Sequence, residues 1–257
     1  MPATVVAGNW KMNTTLEEAR SLSKAVRGQS DRAPGVEVIL CPPAISLSEV
    51  KQSVAGSPVK IGAQNIHHQD SGAFTGEISA TMLVNLCEYV IVGHSERRQL
   101  FGETDELVNL KVKAALSHGL KPILCVGETL EQREAGRAAD VISGQVNTGL
   151  AETQAIDISG LIVAYEPVWA IGTGQAATPE IAAEIMGGPV AETLTSLYGR
   201  DAEHIPLLYG GSVNGGNISD FAAQSCIHGA LVGGASLQAD SFMDIAQLVG
   251  EAKAGGN

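Results

Sequence analysis

A carboxylate, an imidazole and an ammonium each stand just past a short apolar run in this sequence. Glu166 follows Leu161-Ile162-Val163-Ala164-Tyr165 and precedes Pro167. Proline biases the residue before it toward extended backbone, so this carboxylate is held at the end of the run and does not continue into a helix. Shielded from water, such a group is a general base. In water it is a salt-bridged or solvated loop glutamate, and the residue alone leaves both readings open. His94 follows Val90-Ile91-Val92-Gly93 and begins a polar turn. Backbone N–H groups of such a turn can bond one ring nitrogen and keep the imidazole neutral, fit to polarise a carbonyl; the alternative is a structural histidine. Lys11 lies shortly beyond Val5-Val6-Ala7, next to Asn9 and Trp10. One ammonium there suits an anionic substrate, although a solvated surface is the usual fate of lysine. Glu96 is either catalytic or the partner of Lys11, and the pair is the favoured reading. His67, His68, His118, His204 and His228 lack the setting of His94 and read as surface or interface residues.

Three glycine-rich turns add a second kind of chemistry. Gly172, Ser212 and the pair Gly233-Gly234 belong to separate turns, two of them at the ends of consecutive apolar runs. Glycine lets main-chain N–H groups approach phosphate oxygens, and a following helical turn adds a partial positive end. No GxxxxGK[ST] occurs, which argues against a nucleotide P-loop. Residues 167 to 176, Pro-Val-Trp-Ala-Ile-Gly-Thr-Gly-Gln-Ala, form a long apolar loop. Exposed Trp169 and Ile171 are costly unless the loop covers something, so it reads as a lid, with an ordinary packed connection as the alternative.

The elements that must position these residues alternate along the chain. Eight apolar runs begin at Val5, Val36, Val59, Tyr89, Pro122, Leu161, Ile205 and Ala230. Several are apolar at every position and rich in β-branched residues, as strands buried on both faces are. Helical segments with start signals lie between them. Thr14 with Glu17 reads as a capping box, Thr104 as an N-cap, and Thr178-Pro179-Glu180 as an N-cap followed by proline at the first helical position. Ser241 precedes the last apolar periodicity. Eight units of roughly thirty residues predict a (β/α)8 TIM barrel, an α/β fold of eight parallel strands with outer helices. No linker divides residues 1–257, so one catalytic domain is expected. In a parallel barrel all the polar strand ends meet at one mouth.

Composition excludes other classes. The 257 residues carry 16 Lys plus Arg against 28 Asp plus Glu, a formal charge of −12. That balance argues against a nucleic-acid or anionic-membrane surface, and 4% aromatics are too few for base stacking. Cys41, Cys87, Cys125 and Cys226 show no metal or disulfide spacing and read as buried thiols in a reducing compartment. Neither a secretory signal nor a membrane-length apolar stretch is visible. A soluble cytoplasmic protein is expected.

Five stretches in register, Gly8-Asn9-Trp10-Lys11-Met12-Asn13, Gly93-His94-Ser95-Glu96-Arg97-Arg98, Ala164 to Gly174, Tyr209 to Asn214 and Leu231 to Leu237, closely resemble the motifs of the triosephosphate isomerase family. The resemblance runs along essentially the whole chain. It implies interconversion of dihydroxyacetone phosphate and D-glyceraldehyde 3-phosphate through an enediolate, in glycolysis and gluconeogenesis. Glu166 would move the proton between carbons and His94 between oxygens. Lys11 and Asn9 would stabilise the oxygens' charge. The amides of Gly172, Ser212, Gly233 and Gly234 would grip the phosphate. Pro167, Val168, Trp169, Ile171, Gly172, Thr173 and Gly174 would close as the lid, with Ile171 and Leu231 pressing on the base. Neither a metal nor an organic cofactor is implied.

The resemblance also implies a homodimer. Thr75, in Ser71 to Glu77, would enter the partner and brace its Asn9 and Lys11, and Glu77 would pair with the partner's Arg97. Three departures stand out. The far lid hinge reads Gln175-Ala176-Ala177, where the family often has Lys-Thr-Ala. Gly187-Gly188-Pro189 falls inside a helix and predicts a break or kink. Val190 and Cys226 occupy positions where the family commonly carries an arginine and an aspartate. The competing readings are another phosphate-binding barrel acting on a sugar phosphate, which would lack the lid, and a non-catalytic scaffold, which predicts damage at the constellation.

Overall fold

In the computed structural model, which describes residues 2–156, 158–170 and 177–255, each apolar run pairs in parallel with the next and the last closes on the first. The strands are β1 (Thr4–Asn9), β2 (Val36–Cys41), β3 (Lys60–Ala63), β4 (Tyr89–Val92), β5 (Lys121–Val126), β6 (Ile162–Tyr165), β7 (Leu207–Tyr209) and β8 (Gly229–Val232). Ladder partners such as Asn9 with Cys41, Val126 with Tyr165, and Tyr165 with Tyr209 align the C-terminal strand ends at one rim. This is the expected (β/α)8 barrel.

The unbroken apolar character of the strands follows from two dry faces. Val5, Ala7, Ile39, Ile91, Ile123, Ile162, Leu208 and Leu231 fill the barrel interior. Their neighbours Val6, Leu40, Val90, Val92 and Leu124 pack outward against the helices. Side chains alternate faces along a strand, so both sets must be apolar.

The helices are α1 (Leu16–Arg27), α2 (Leu47–Ser53), α3 (Ala80–Leu83), α4 (Ser95–Phe101), α5 (Asp105–Ser117), α6 (Leu130–Glu134), α7 (Ala138–Gly149), α8 (Pro179–Ile185), α9 (Ala191–Tyr198), α10 (Ile218–Ala222) and α11 (Ala239–Gly255). Thr104 and Thr178 cap α5 and α8 as expected. The first capping box sits one residue later than predicted, on Thr15 and Glu18. Thr14 has φ +77°, a left-handed conformation that an N-cap does not use, whereas Thr15 is extended. The last helix begins at Ala239, so Ser241 lies inside it.

The proline break is present as a π-helical turn, Met186–Val190, between α8 and α9. Pro189 lacks an N–H, and Gly188 leaves helical geometry at φ −96°, ψ −105°. Val190 is buried in the outer core. Cys226 Sγ lies 3.6 Å from the Ala183 carbonyl. Apolar packing thus stands at both positions of the missing ion pair. Cys41, Cys87 and Cys125 are buried free thiols and Cys226 is partly buried. No helix among the described residues is long and apolar enough to cross a membrane.

Candidate active site

Glu166 leaves β6 with its N–H bonded to the Val126 carbonyl of β5 at 2.8 Å, and the next strand is tied in by Gly210 N–H to Tyr165 O at 2.7 Å. The carboxylate is only 2% exposed. Three donors hold it. Ser95 N–H reaches Oε2 at 2.9 Å, Ser95 Oγ reaches Oε1 at 3.2 Å, and His94 Nε2 lies 2.9 Å from Oε1. Burial raises the pKa of this carboxyl, but the facing imidazole and the two Ser95 donors outweigh it and leave the pKa below the ordinary carboxylate value.

Gly210 makes room for this side chain. A Cβ there would fall 2.9 Å from Glu166 Cγ and 3.1 Å from the Tyr165 carbonyl. Beneath the carboxylate, the fully buried Cys125 thiol is pushed well above its ordinary pKa, first by burial and then by the charge of Glu166.

His94 is the N-cap of α4 and its Nδ1 accepts the Glu96 N–H at 3.3 Å. That amide selects the tautomer with the proton on Nε2, the nitrogen facing Glu166. Burial disfavours the imidazolium, but the charge and hydrogen bond of Glu166, together with the charge of Glu96, outweigh it, so the ring's pKa is raised while that carboxylate stands opposite. Drawing Glu166 away removes the charge that holds it up.

Lys11 has φ +52°, uncommon for a residue with a Cβ. Polar contacts bracket the strained backbone. Its N–H donates to Asn9 Oδ1 at 3.0 Å. The side-chain amide of Gln64 donates to the Lys11 and Cys41 carbonyls at 2.8 and 2.9 Å. Lys11 Nζ pairs with Glu96 Oε1 at 2.5 Å, the pairing favoured from the sequence.

These residues share one cavity of about 300 Å³, lined by Asn9, Lys11, His94, Glu166, Ser212, Leu231, Gly233 and Gly234. The catalytic and phosphate-binding candidates therefore converge, apart from Gly172. Gly172, Ile171, Thr173 and Gly174, with Gln175 and Ala176, lie outside the described residues. The near end of the lid segment is anchored. Pro167 precedes the 3₁₀ turn Val168–Ala170, and Trp169 Nε1 donates to the fully buried Glu128 at 2.8 Å. Tyr165 Oη donates to the same oxygen at 3.0 Å, and the Arg133 guanidinium lies 4.9 Å from the Trp169 ring centre. Trp169 is thus packed, not left exposed.

Glu77 and Arg97 line an adjoining cavity of about 420 Å³ that also touches Lys11 and His94. Arg97 pairs within its own chain with Glu103 at 2.5 Å. Thr75 sits on the exposed loop, where the Phe74 ring packs at a tilt against His67 with ring centres 4.1 Å apart. His228 corrects the surface reading given to the remaining histidines. It is partly buried, accepts the Leu207 N–H at Nδ1 (3.0 Å), and burial followed by the charge of Lys253 lowers its pKa to about 4. Among the described residues no group of three His, Cys, Asp or Glu side chains is arranged to hold a metal ion.

Sequence reasoning assigned no site role to Ser95, Gln64 or Glu128, read Cys125 only as a buried thiol, and read Gly210 only as part of a glycine turn. Only Ser95, next to His94, carried a signal that could have revealed it, because an N-cap turn aims its amides at one point.

A buried carboxylate, a capped imidazole and a strained lysine around glycine turns is an arrangement with known counterparts. The family model described as triosephosphate isomerase matches residues 4–249. The chain is 49% identical over 245 residues to the triosephosphate isomerase of Dehalococcoides mccartyi, covering 95% of this chain and 96% of that protein. It is 51% identical over 243 residues to that of Endomicrobium trichonymphae (94% and 97%), and 49% identical over 247 residues to that of Chloroflexus aurantiacus (95% and 98%). With matches of this depth along nearly its full length, the chain belongs to the triosephosphate isomerase family.

Proposed function

We infer that this protein interconverts dihydroxyacetone phosphate and D-glyceraldehyde 3-phosphate. The observation that carries this reading is one 300 Å³ cavity holding Glu166, His94 and Lys11 beside the Ser212, Gly233 and Gly234 turns. The phosphate is taken by the amides of those turns. Glu166 removes a proton from C1 of the ketose, and the electron pair moves onto the carbonyl oxygen to give the enediolate. His94, with its proton on Nε2, donates to that oxygen and recovers a proton from the neighbouring one. Lys11 and Asn9 stabilise the developing negative charge. Glu166 then returns its proton to C2, giving the aldehyde. For the first step the carboxylate must leave Ser95 and His94, and losing those donors makes it a stronger base.

The reading extends to a homodimer acting in the cytoplasm, each chain a single domain. Met12 and Phe101, 96% and 67% exposed, line the cavity next to Lys11, and Ile45, Met82 and Leu100, each next in sequence to a lining residue, are 59–76% exposed; exposed apolar groups at a cavity rim mark interaction surfaces. Thr75 of the partner would enter that cavity. Two measurements test the account. Glu166→Gln lowers kcat in a coupled assay on glyceraldehyde 3-phosphate by at least ~10²-fold; unchanged turnover defeats the role. Thr75→Arg lowers sedimentation mass and activity together; a fully active monomer contradicts the bracing.

A further inference from the structure

The opposite end of the barrel holds a cavity of about 420 Å³, larger than the one at the mouth. It lies at the starts of the strands, where the reaction has no use for it. Tyr89 of β4 donates its phenol O–H to Glu37 Oε1 of β2. Lys121 of β5 reaches the same phenol oxygen at 3.4 Å, with Nζ 5.0 Å from the ring centre. Lys121 forms no ion pair among the described residues, although the other end of this hydrogen-bonded chain is a carboxylate.

The ammonium is held in place. Gly160, at φ +88°, has no side chain, and a Cβ there would lie 2.7 Å from Lys121 Cγ and Cδ. The lysine stem therefore runs between Gly160 and the Tyr89 ring. A half-buried ammonium whose stem is fixed by packing, with no carboxylate in direct contact among the described residues, is a receptor for an anionic group. Burial and then the Glu37 hydrogen bond hold the Tyr89 pKa far above its ordinary value, so the phenol stays a donor to Glu37.

The charges of the whole cavity narrow the ligand. Glu37 Oε2 takes no hydrogen bond among the described residues, and Asp201 supplies a second carboxylate, with His204 beside it. A phosphate would meet two carboxylates, and a simple amine would meet an ammonium. A molecule with adjacent opposite charges satisfies both. Lys121 and Glu37 share one phenol oxygen without pairing, so they stand a few ångströms apart, the spacing that an α-amino acid head bridges. Ile158, Ile162, Ile205 and Pro206 form an apolar wall. We propose that this cavity binds an aliphatic α-amino acid, its carboxylate on Lys121, its ammonium on Glu37 and Asp201, and its side chain on that wall.

Titration of the isotope-labelled full chain by NMR tests this with L-leucine, 3-methylbutanoate and 3-methylbutylamine. Leucine saturates with a Kd of about 1 mM, while the two analogues, each lacking one charge, bind at least about tenfold more weakly. Lys121→Met and Glu37→Gln each weaken leucine by at least about tenfold and keep triose turnover, which reports folding. Saturating 2-phosphoglycolate leaves the leucine affinity unchanged. The proposal is overturned by no saturable shifts up to about 20 mM leucine, by equal binding of 3-methylbutanoate, by an unchanged affinity in folded Glu37→Gln, or by displacement with 2-phosphoglycolate.

Discussion

Gly210→Ala tests how closely Glu166, the proposed base, is positioned. The new methyl carbon would stand 2.9 Å from Glu166 Cγ and 3.1 Å from the Tyr165 carbonyl. Non-bonded carbons settle at about 3.5–4.0 Å, so one of them must give by roughly 0.6–1 Å. The carbonyl is tied into the β6–β7 connection by the Gly210 N–H at 2.7 Å, so the glutamate side chain is what moves. A misplacement of about 1 Å at the reacting group costs on the order of 10²-fold in rate. The Gly233-Gly234 turn is untouched and Ser212 lies two residues further on, so the loss falls mainly on kcat, with a smaller change in KM. Overpacking also costs roughly 1–3 kcal/mol of stability, so kcat is measured well below the Tm of the variant. Gly144→Ala, an exposed α7 position where a Cβ meets nothing within 4 Å, is the control. Turnover of a folded Gly210→Ala variant equal to that of the control would refute the reasoning.

Three further outcomes follow from the same contacts. Ser95→Ala removes the 3.2 Å bond to Glu166; that bond lowers the carboxyl pKa, so its loss moves the acid limb of the kcat/KM profile to higher pH, and an unmoved limb argues against Ser95 as a donor. Gln64→Ala frees the carbonyls of Lys11 and Cys41 and lowers kcat/KM by about tenfold through a loosened Lys11; steady-state kinetics with unchanged values contradicts that brace. His228 is neutral in the fold down to about pH 4 but takes up a proton near pH 6.5 when unfolded. Stability present above pH 6.5 is therefore lost as pH falls toward 4, by at most about 3 kcal/mol. In urea titrations His228→Asn flattens this fall, and an equally steep loss in the variant would count against His228.

The barrel was legible because parallel strands buried on both faces leave unbroken β-branched runs such as Tyr89–Val92. The polar residues ending those runs gave away Glu166, His94 and Lys11, since topology alone sends all strand ends to one rim. What was not legible is side-chain contact across long separations. Ser95 meets Glu166 from 71 positions away, and Gln64 meets Lys11 from 53; no local spacing encodes either meeting. Gly210 reads as one more turn glycine until the Glu166 side chain is seen beside it. The first capping box slipped by a residue because Thr14 and Thr15 offer the same hydroxyl and only the backbone angle separates them. His228 looked like a surface residue because its burial depends on the start of β7, remote in sequence.

The central claim is that three side chains from distant strands act on a single three-carbon ligand. A crystal structure with 2-phosphoglycolate tests it most directly. The account predicts phosphate oxygens within about 3 Å of the Ser212, Gly233 and Gly234 amides, and a ligand carboxylate within the same reach of Lys11, His94 and Glu166. A ligand bound elsewhere, or one that leaves any of those three side chains beyond contact, would contradict it.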